Sequence, residues 1–191
     1  MTTSVEHFYQ KPQFGEDWFT YSKFYKQMVN HFSTNSIFVE VGSWKGKSSS
    51  FMAVEIFNSN KDITFYCIDT WEGSQEHSSE QKGKSLFDTF LTNVQPISHM
   101  IKPMRMKSLQ AVNFFKDNSI DFCFIDAAHD YQNVINDIKA WYPKVKEDGV
   151  IAGHDWSPFW PGVVQAVEEF FPNKNFETEY DWWYHYKSKE Y

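Results

Sequence analysis

The chain has 191 residues, a formal net charge of −7, 41% hydrophobic and 19% aromatic residues, values that exclude a disordered chain and fit one domain with a substantial core. Arg105 is the only arginine, and no basic face for nucleic acid is visible, so small-molecule or neutral glycan substrates are expected. No apolar stretch approaches the length of a bilayer span and no apolar leader follows Met1, which points to a cytoplasmic protein.

From Glu16 to Phe32, Trp18, Tyr21, Tyr25, Met28, Val29 and Phe32 recur at gaps of three and four, predicting a helix with an acidic start at Glu16 and Asp17. Ile37 to Val41 reads as a short strand, then a glycine-containing loop and a helix through about Phe57. Ile63 to Ile68 is a second strand ending at Asp69, and the polar stretch Thr70 to Lys84 is a surface loop placed to act as a lid. A helix around Leu86 to Val94, a weak strand near Met100 to Met104 and a helix from about Leu109 to Lys116 follow. Ile120 to Ile125 is apolar on both faces and ends at Asp126. Helical period returns from Tyr131 to Val145, closed by Glu147, Asp148 and Gly149; Val150 to Gly153 is a strand ending at His154 and Asp155. A helix from Gly162 to Phe171 precedes a hairpin of Asn175 to Glu179 and Trp182 to Lys187. Cys67 and Cys123 sit inside apolar runs and read as reduced core residues.

Strands alternating with helices predict an α/β fold with a mostly parallel sheet between helix layers, its ligands bound at the carboxyl ends of the strands. Asp69, Asp126 and Asp155 all end strands, which places three acids on one rim.

The segment FVEVGSWKGKSS, Phe38 to Ser49, ends like a nucleotide-triphosphate loop. Such a loop needs four residues between its first glycine and the Gly-Lys-Ser; only Ser43, Trp44 and Lys45 separate Gly42 from Gly46. A dinucleotide fingerprint needs a third glycine at a spacing this loop lacks. What remains is acid, spacer, glycine, three spacers, glycine. Here glycines permit a sharp turn and close approach to a phosphate-free cofactor.

This pattern, Glu40 to Gly46, resembles the first motif of class I S-adenosylmethionine-dependent methyltransferases, and Asp69 stands where their second acid belongs. The run FIDAAHDYQNVINDIKAWYPKVKEDGVIAGHDW, Phe124 to Trp156, is similar to the O-methyltransferases related to macrocin O-methyltransferase and the cephalosporin-hydroxylase-like group, and more distantly to catechol O-methyltransferase. The similarity spans roughly Ile37 to Phe171. It implies a Rossmann-like seven-stranded sheet with a C-terminal antiparallel hairpin, in a single methyltransferase domain with an N-terminal extension over residues 1–33. It also implies S-adenosyl-L-methionine as cofactor. Glu40 and Ser48 would contact its methionine end, Gly42, Ser43 and Gly46 would form the loop beneath it, Asp69 and Thr70 would meet the ribose, Ser108 would sit beside the adenine, and Asp126 would serve both cofactor binding and catalysis. Met106 departs from the glycine that relatives often carry before that serine.

Metal-dependent relatives place one acid after the fourth strand and an adjacent pair after the fifth. Asp126 matches the first position and His154 with Asp155 the second, so a divalent ion (magnesium, manganese or another) would activate an acceptor hydroxyl. An imidazole suits manganese, iron, zinc or nickel better than magnesium. The alternative is that His154 bonds a strand end and Asp155 caps the next loop. His129 stands near the position of the catalytic lysine of catechol O-methyltransferase and would act as a base, or else cap the following helix or orient Asp126. Trp156, Phe159 and Trp160, with Trp71 and Trp44, are candidates to line an acceptor pocket, whereas Lys47 reads as a solvated side chain.

The expected activity is therefore O-methylation of a small molecule or sugar, with no nucleic-acid or membrane partner and with room for homo-oligomers. The Asn/Asp-Pro-Pro-aromatic run of many amine methyltransferases is replaced by Asp126-Ala127-Ala128-His129. A cofactor-binding protein without transferase activity is the alternative.

Overall fold

The computed structural model describes residues 4–15, 17–73 and 85–188. Helices α1 (Ser22–His31), α2 (Lys47–Ser59), α3 (Leu86–Val94), α4 (Ser108–Ala111), α5 (Tyr131–Trp141) and α6 (Pro161–Phe170) surround strands β1 (Ser36–Val41), β2 (Ile63–Asp69), β3 (Ile101–Arg105), β4 (Ile120–Ile125), β5 (Val145–Gly153), β6 (Glu177–Glu179) and β7 (Trp182–Tyr186). The strands form one seven-stranded sheet in the order β3-β2-β1-β4-β5-β7-β6. β1 to β5 pair in parallel, and β7 joins β5 and β6 antiparallel, as the sequence pattern predicts.

Side-chain alternation explains why this sheet needs helices on both faces. Phe38, Phe65, Phe122, Phe124, Val150, Ala152 and Trp182 face α1, α2 and α3. The intervening Val39, Val41, Ile68, Cys123, Ile125, Ile151 and Trp183 face α4, α5 and α6. Both cysteines are free and buried, and burial pushes both thiols up. The order reverses between β1 and β4: the chain winds outward through β2 and β3, then returns to the other side of β1. At that reversal, crossovers leave in opposite directions and a crevice opens beyond the carboxyl ends of the strands.

Three boundaries differ from expectation. The first helix begins at Ser22, with no acid in its first turn, because residues 17–21 run as a strap across the molecule instead. Phe19 packs edge-on against Phe51 and Tyr21, and the Thr20 hydroxyl donates to Asp181, contacts a continued helix would break. α5 stops at Trp141, where Tyr142–Lys144 tighten into a 3-10 turn around Pro143, so Val145 opens β5 instead of extending the helix. The helix expected to reach Lys116 is one turn of α4 followed by a 3-10 turn over Val112–Phe114. Of the expected lid, residues 74–84 lie outside the described residues. Among the described residues no helix is long and apolar enough to cross a membrane.

Candidate active site

The loop after β1 is shaped by what lies next to it. Gly42 and Gly46 sit at φ of 93° and 85°, and Trp44 between them at 44°. A Cβ on Gly42 would fall 1.7 Å from the Asp126 carbonyl oxygen, and one on Gly46 would fall 2.7 Å from a Val94 methyl. Both glycines therefore serve close approach of β4 and α3 to the loop as well as the turn itself. Asp69, at the end of β2, accepts the backbone N–H groups of Ser43 (3.0 Å), Trp44 (2.9 Å) and Trp71 (2.7 Å), fixing the loop against the second strand. Burial raises the Asp69 carboxyl, and those donors oppose the rise.

Glu40 lies one layer deeper. It is 1% exposed and does not line the cleft; its carboxylate accepts hydroxyls from Tyr25 (3.0 Å), Ser43 (2.8 Å) and Ser49. Burial lifts its pKa against those hydroxyls. In this structure Glu40 braces the loop from behind, and its partners include Ser49 and Tyr25, neither of which local spacing marks as a site residue.

Loop ends, the 17–21 strap, the start of α4 and the β6–β7 turn enclose a cleft of about 980 Å³. Gly42, Ser43, Ser48, Asp69, Thr70 and Ser108 line its β1–β2 side and floor; Asp126, His129, His154 and Asp155 line the β4–β5 side. Gly46 is set back behind Ser43 and Ser48, at the N-cap of α2. The Ser108 hydroxyl is turned away, donating to Asp137 (2.6 Å) and accepting from the Trp141 indole (2.8 Å). Lys47 is not solvated: it lines the cleft and pairs with Asp17 at 3.0 Å.

On the β4–β5 side, His154 is 6% exposed between three carboxylates. Its Nδ1 faces Asp155 Oδ2 at 3.4 Å and Asp126 Oδ2 at 3.6 Å, and its Nε2 faces Asp181 Oδ2 and Thr20 Oγ1, each at 3.3 Å. Burial disfavours the imidazolium, but Asp126, Asp155 and Asp181 outweigh it and push the pKa up to about 12. Burial likewise raises Asp155, yet His129 and His154 hold it well below the usual carboxylate range. His129 Nε2 lies 2.9 Å from Asp155 Oδ2, and its ring packs on Trp160 at 4.1 Å. Asp130, not His129, caps α5 by accepting the Asn133 N–H. Asp155 adopts φ 59° to present its carboxylate here. Tyr21 adds a hydroxyl bond to Asp126 Oδ2 at 2.9 Å.

The three residues expected to hold a metal do converge: one donor atom each from Asp126, His154 and Asp155 lies within 4.8 Å of the others. His154 presents Nδ1 to both carboxylates while Nε2 is held by Asp181, the arrangement in which a ligating histidine is oriented by a second carboxylate. Once a metal displaces the His154 proton, one imidazole and two carboxylates fit manganese, iron or zinc in donor chemistry, and fit magnesium less well.

The aromatic grouping is redistributed. Trp44 and Trp160 line the cleft, joined by Trp18, Phe14 and Phe19 of the N-terminal segment. Trp71 is 3% exposed in the core against Phe87 and Phe90, and its indole bonds the Trp44 carbonyl. Trp156 faces Phe176, and Phe159 is 89% exposed outside the cleft. Periodicity cannot separate these tryptophans, because rim and core positions alternate along the same short loops.

Residues 39–156 match the sequence family described as a methyltransferase domain. An uncharacterized protein of Sinorhizobium fredii is 25% identical over 61% of this chain, which spans only 13% of that protein's length. An uncharacterized protein of Acanthamoeba polyphaga mimivirus is 28% identical over 82% of this chain and 69% of its own. Among solved structures, the O-methyltransferase from Bacillus cereus in complex with S-adenosylhomocysteine superposes with a TM-score of 0.59. It is 18% identical, and the match covers 88% of this chain and 80% of that one.

Proposed function

The chain belongs to the methyltransferase-domain family, with the fold of class I S-adenosylmethionine-dependent enzymes, and from that premise we propose that it methylates a hydroxyl of a small molecule or sugar. The observation that carries the O-methyl reading is the His129–Asp155 pair at 2.9 Å, placed on the cleft wall facing the loop after β1.

In this reading the methyl donor lies along the β1–β2 side, over Gly42 and Ser43, with Asp69 and Thr70 at its ribose, Ser48 at its methionine end and Ser108 beside its adenine. Glu40 acts through Ser43 and the loop, its carboxylate already occupied by hydroxyls. Asp69 has one further acceptor role to offer after holding the loop amides, because a carboxylate accepts about four hydrogen bonds. Asp155 orients the His129 imidazole through Nε2, and His129 takes the acceptor's hydroxyl proton as the oxygen attacks the methyl group. Trp160 holds the imidazole in plane, and Trp18 and Trp44 give the acceptor apolar faces. A divalent ion held by Asp126, His154 and Asp155 would lower the pKa of that hydroxyl. The acidic charge and cleft acids support an acceptor other than nucleic acid. In this reading the 191 residues form one methyltransferase domain, and self-association is compatible with it.

Calorimetry with S-adenosylhomocysteine and ATP tests the cofactor: binding of ATP alone would end this reading. A screen of hydroxylated acceptors with labelled methyl donor tests the reaction. With an acceptor in hand, His129→Ala should lower turnover by about 10²- to 10⁴-fold while S-adenosylhomocysteine affinity stays put. Unchanged turnover removes the base assignment. Turnover that survives chelation and does not respond to manganese removes the metal.

A further inference from the structure

Lys47 opens α2 directly after the left-handed Gly46, on the cleft wall beside Ser43 and Ser48. Its side chain is only 14% exposed, yet its Nζ lies 3.0 Å from Asp17 Oδ1, on a side chain that is 81% exposed. A largely shielded ammonium thus reaches out of the cofactor side of the cleft to a carboxylate in solvent. The strap carrying Asp17 continues inward: Phe19 packs on Phe51, Thr20 bonds Asp181 at 2.6 Å and Tyr21 bonds Asp126 at 2.9 Å. One end of the strap touches the cofactor side, and the other touches the acids of the acceptor side.

We propose that Lys47 binds the methionine carboxylate of the cofactor and that Asp17 occupies it as a stand-in while the cleft is empty. The inference rests on the cofactor reading above and adds to it a residue and an exchange. The α2 N-terminus and the Lys47 ammonium together favour a carboxylate at this point, and the carboxylate that the structure shows there belongs to the chain itself. Cofactor binding then breaks the Lys47–Asp17 pair and frees the outer end of the strap, so occupancy of the donor side is felt by the segment that presents Thr20 and Tyr21 to the acceptor side. Asp17 opposes cofactor binding, and Lys47 supports it.

The two members of one ion pair should therefore have opposite effects on affinity. Titration calorimetry with S-adenosylhomocysteine should show Lys47→Met binding about tenfold or more weakly, and Asp17→Asn binding about two- to fivefold more tightly. 5′-Methylthioadenosine, which lacks the amino-acid portion, should bind both variants as it binds the wild type. Lys45→Met, whose ammonium lies over the Trp44 ring, controls for loss of a positive charge in the cleft. Equal or same-direction effects of Lys47→Met and Asp17→Asn overturn the exchange. So does an effect of Lys47→Met that is as large on methylthioadenosine. A wild type that binds neither adenosyl ligand sinks the cofactor reading itself, a different result. Asp17 is exposed enough that its variant will fold, so that arm stands even if Lys47→Met melts early.

Discussion

Asp137 lies on α5 at 6% exposure, with Ser108 Oγ at 2.6 Å, and burial lifts its carboxyl to about 6 from 3.8. Between roughly pH 4 and 6 the native state keeps a proton that the unfolded chain has released, so this group's contribution to stability falls as pH rises through that window. Above it, the buried charge costs on the order of 3 kcal/mol, about two pKa units. Asp137→Asn removes the titration while keeping an acceptor for Ser108. The melting-temperature difference, variant minus wild type, should climb from pH 4 to about 6.5 and then level off; a difference flat across pH would show that burial does not raise the Asp137 carboxyl in the fold. At this scale the glycine turn is legible in the sequence because Gly42 and Gly46 act through local spacing, and so is the acid that ends β2, Asp69, whereas the burial of Glu40 behind the loop is not. Tyr21, Ser49 and Asp181 escape it: a tyrosine at helical spacing, a helix serine and an acid in a hairpin turn each have an ordinary local explanation. Their contacts to Asp126, Glu40 and His154 span long sequence distances.

Among elements, β7 ties the β4–β5 side of the cleft to the core. Trp182 stacks on Phe24 of α1 at 4.4 Å, next to Asp181 beneath His154, and its buried indole N–H has no partner among the described residues. Trp182→Ala should cost about 3–5 kcal/mol by chemical denaturation. Trp182→Phe keeps an aromatic ring against Phe24 and drops the orphaned donor, so it should cost less than about 1.5 kcal/mol. Equal losses from both variants would mean that the indole N–H is satisfied after all. Element type was readable wherever period and breakers agreed, as for α3 and β4, whose expected ranges match those observed. The first helix and α5 are shorter than their apolar periods for different reasons. Tertiary contacts of Phe19 and Thr20 hold the strap extended, whereas Pro143 ends α5 although apolar residues continue its period.

For the whole molecule, the consequence of the cleft is linkage between cofactor and fold. S-adenosylhomocysteine at about 100 times its Kd should add roughly 2.7 kcal/mol of stability, which in a chain of this size raises Tm by about 5–10 °C. ATP at the same concentration should leave Tm unchanged. A shift with ATP and none with the homocysteine ligand would contradict the class of cofactor. The sequence alone determined the alternating elements, the parallel sheet, the glycine turn after β1 and the acids at the strand ends. Each of these follows from spacing along the chain, through local backbone geometry and side-chain period. Only the tertiary structure decided that Glu40 sits behind the loop, that Asp17 reaches Lys47, that His129 is oriented by Asp155 and that three carboxylates converge on His154. Those facts depend on which strand ends meet at the reversal between β1 and β4 and on where the strap and the β6–β7 turn close over them. Long-range packing sets both, and no local period encodes it.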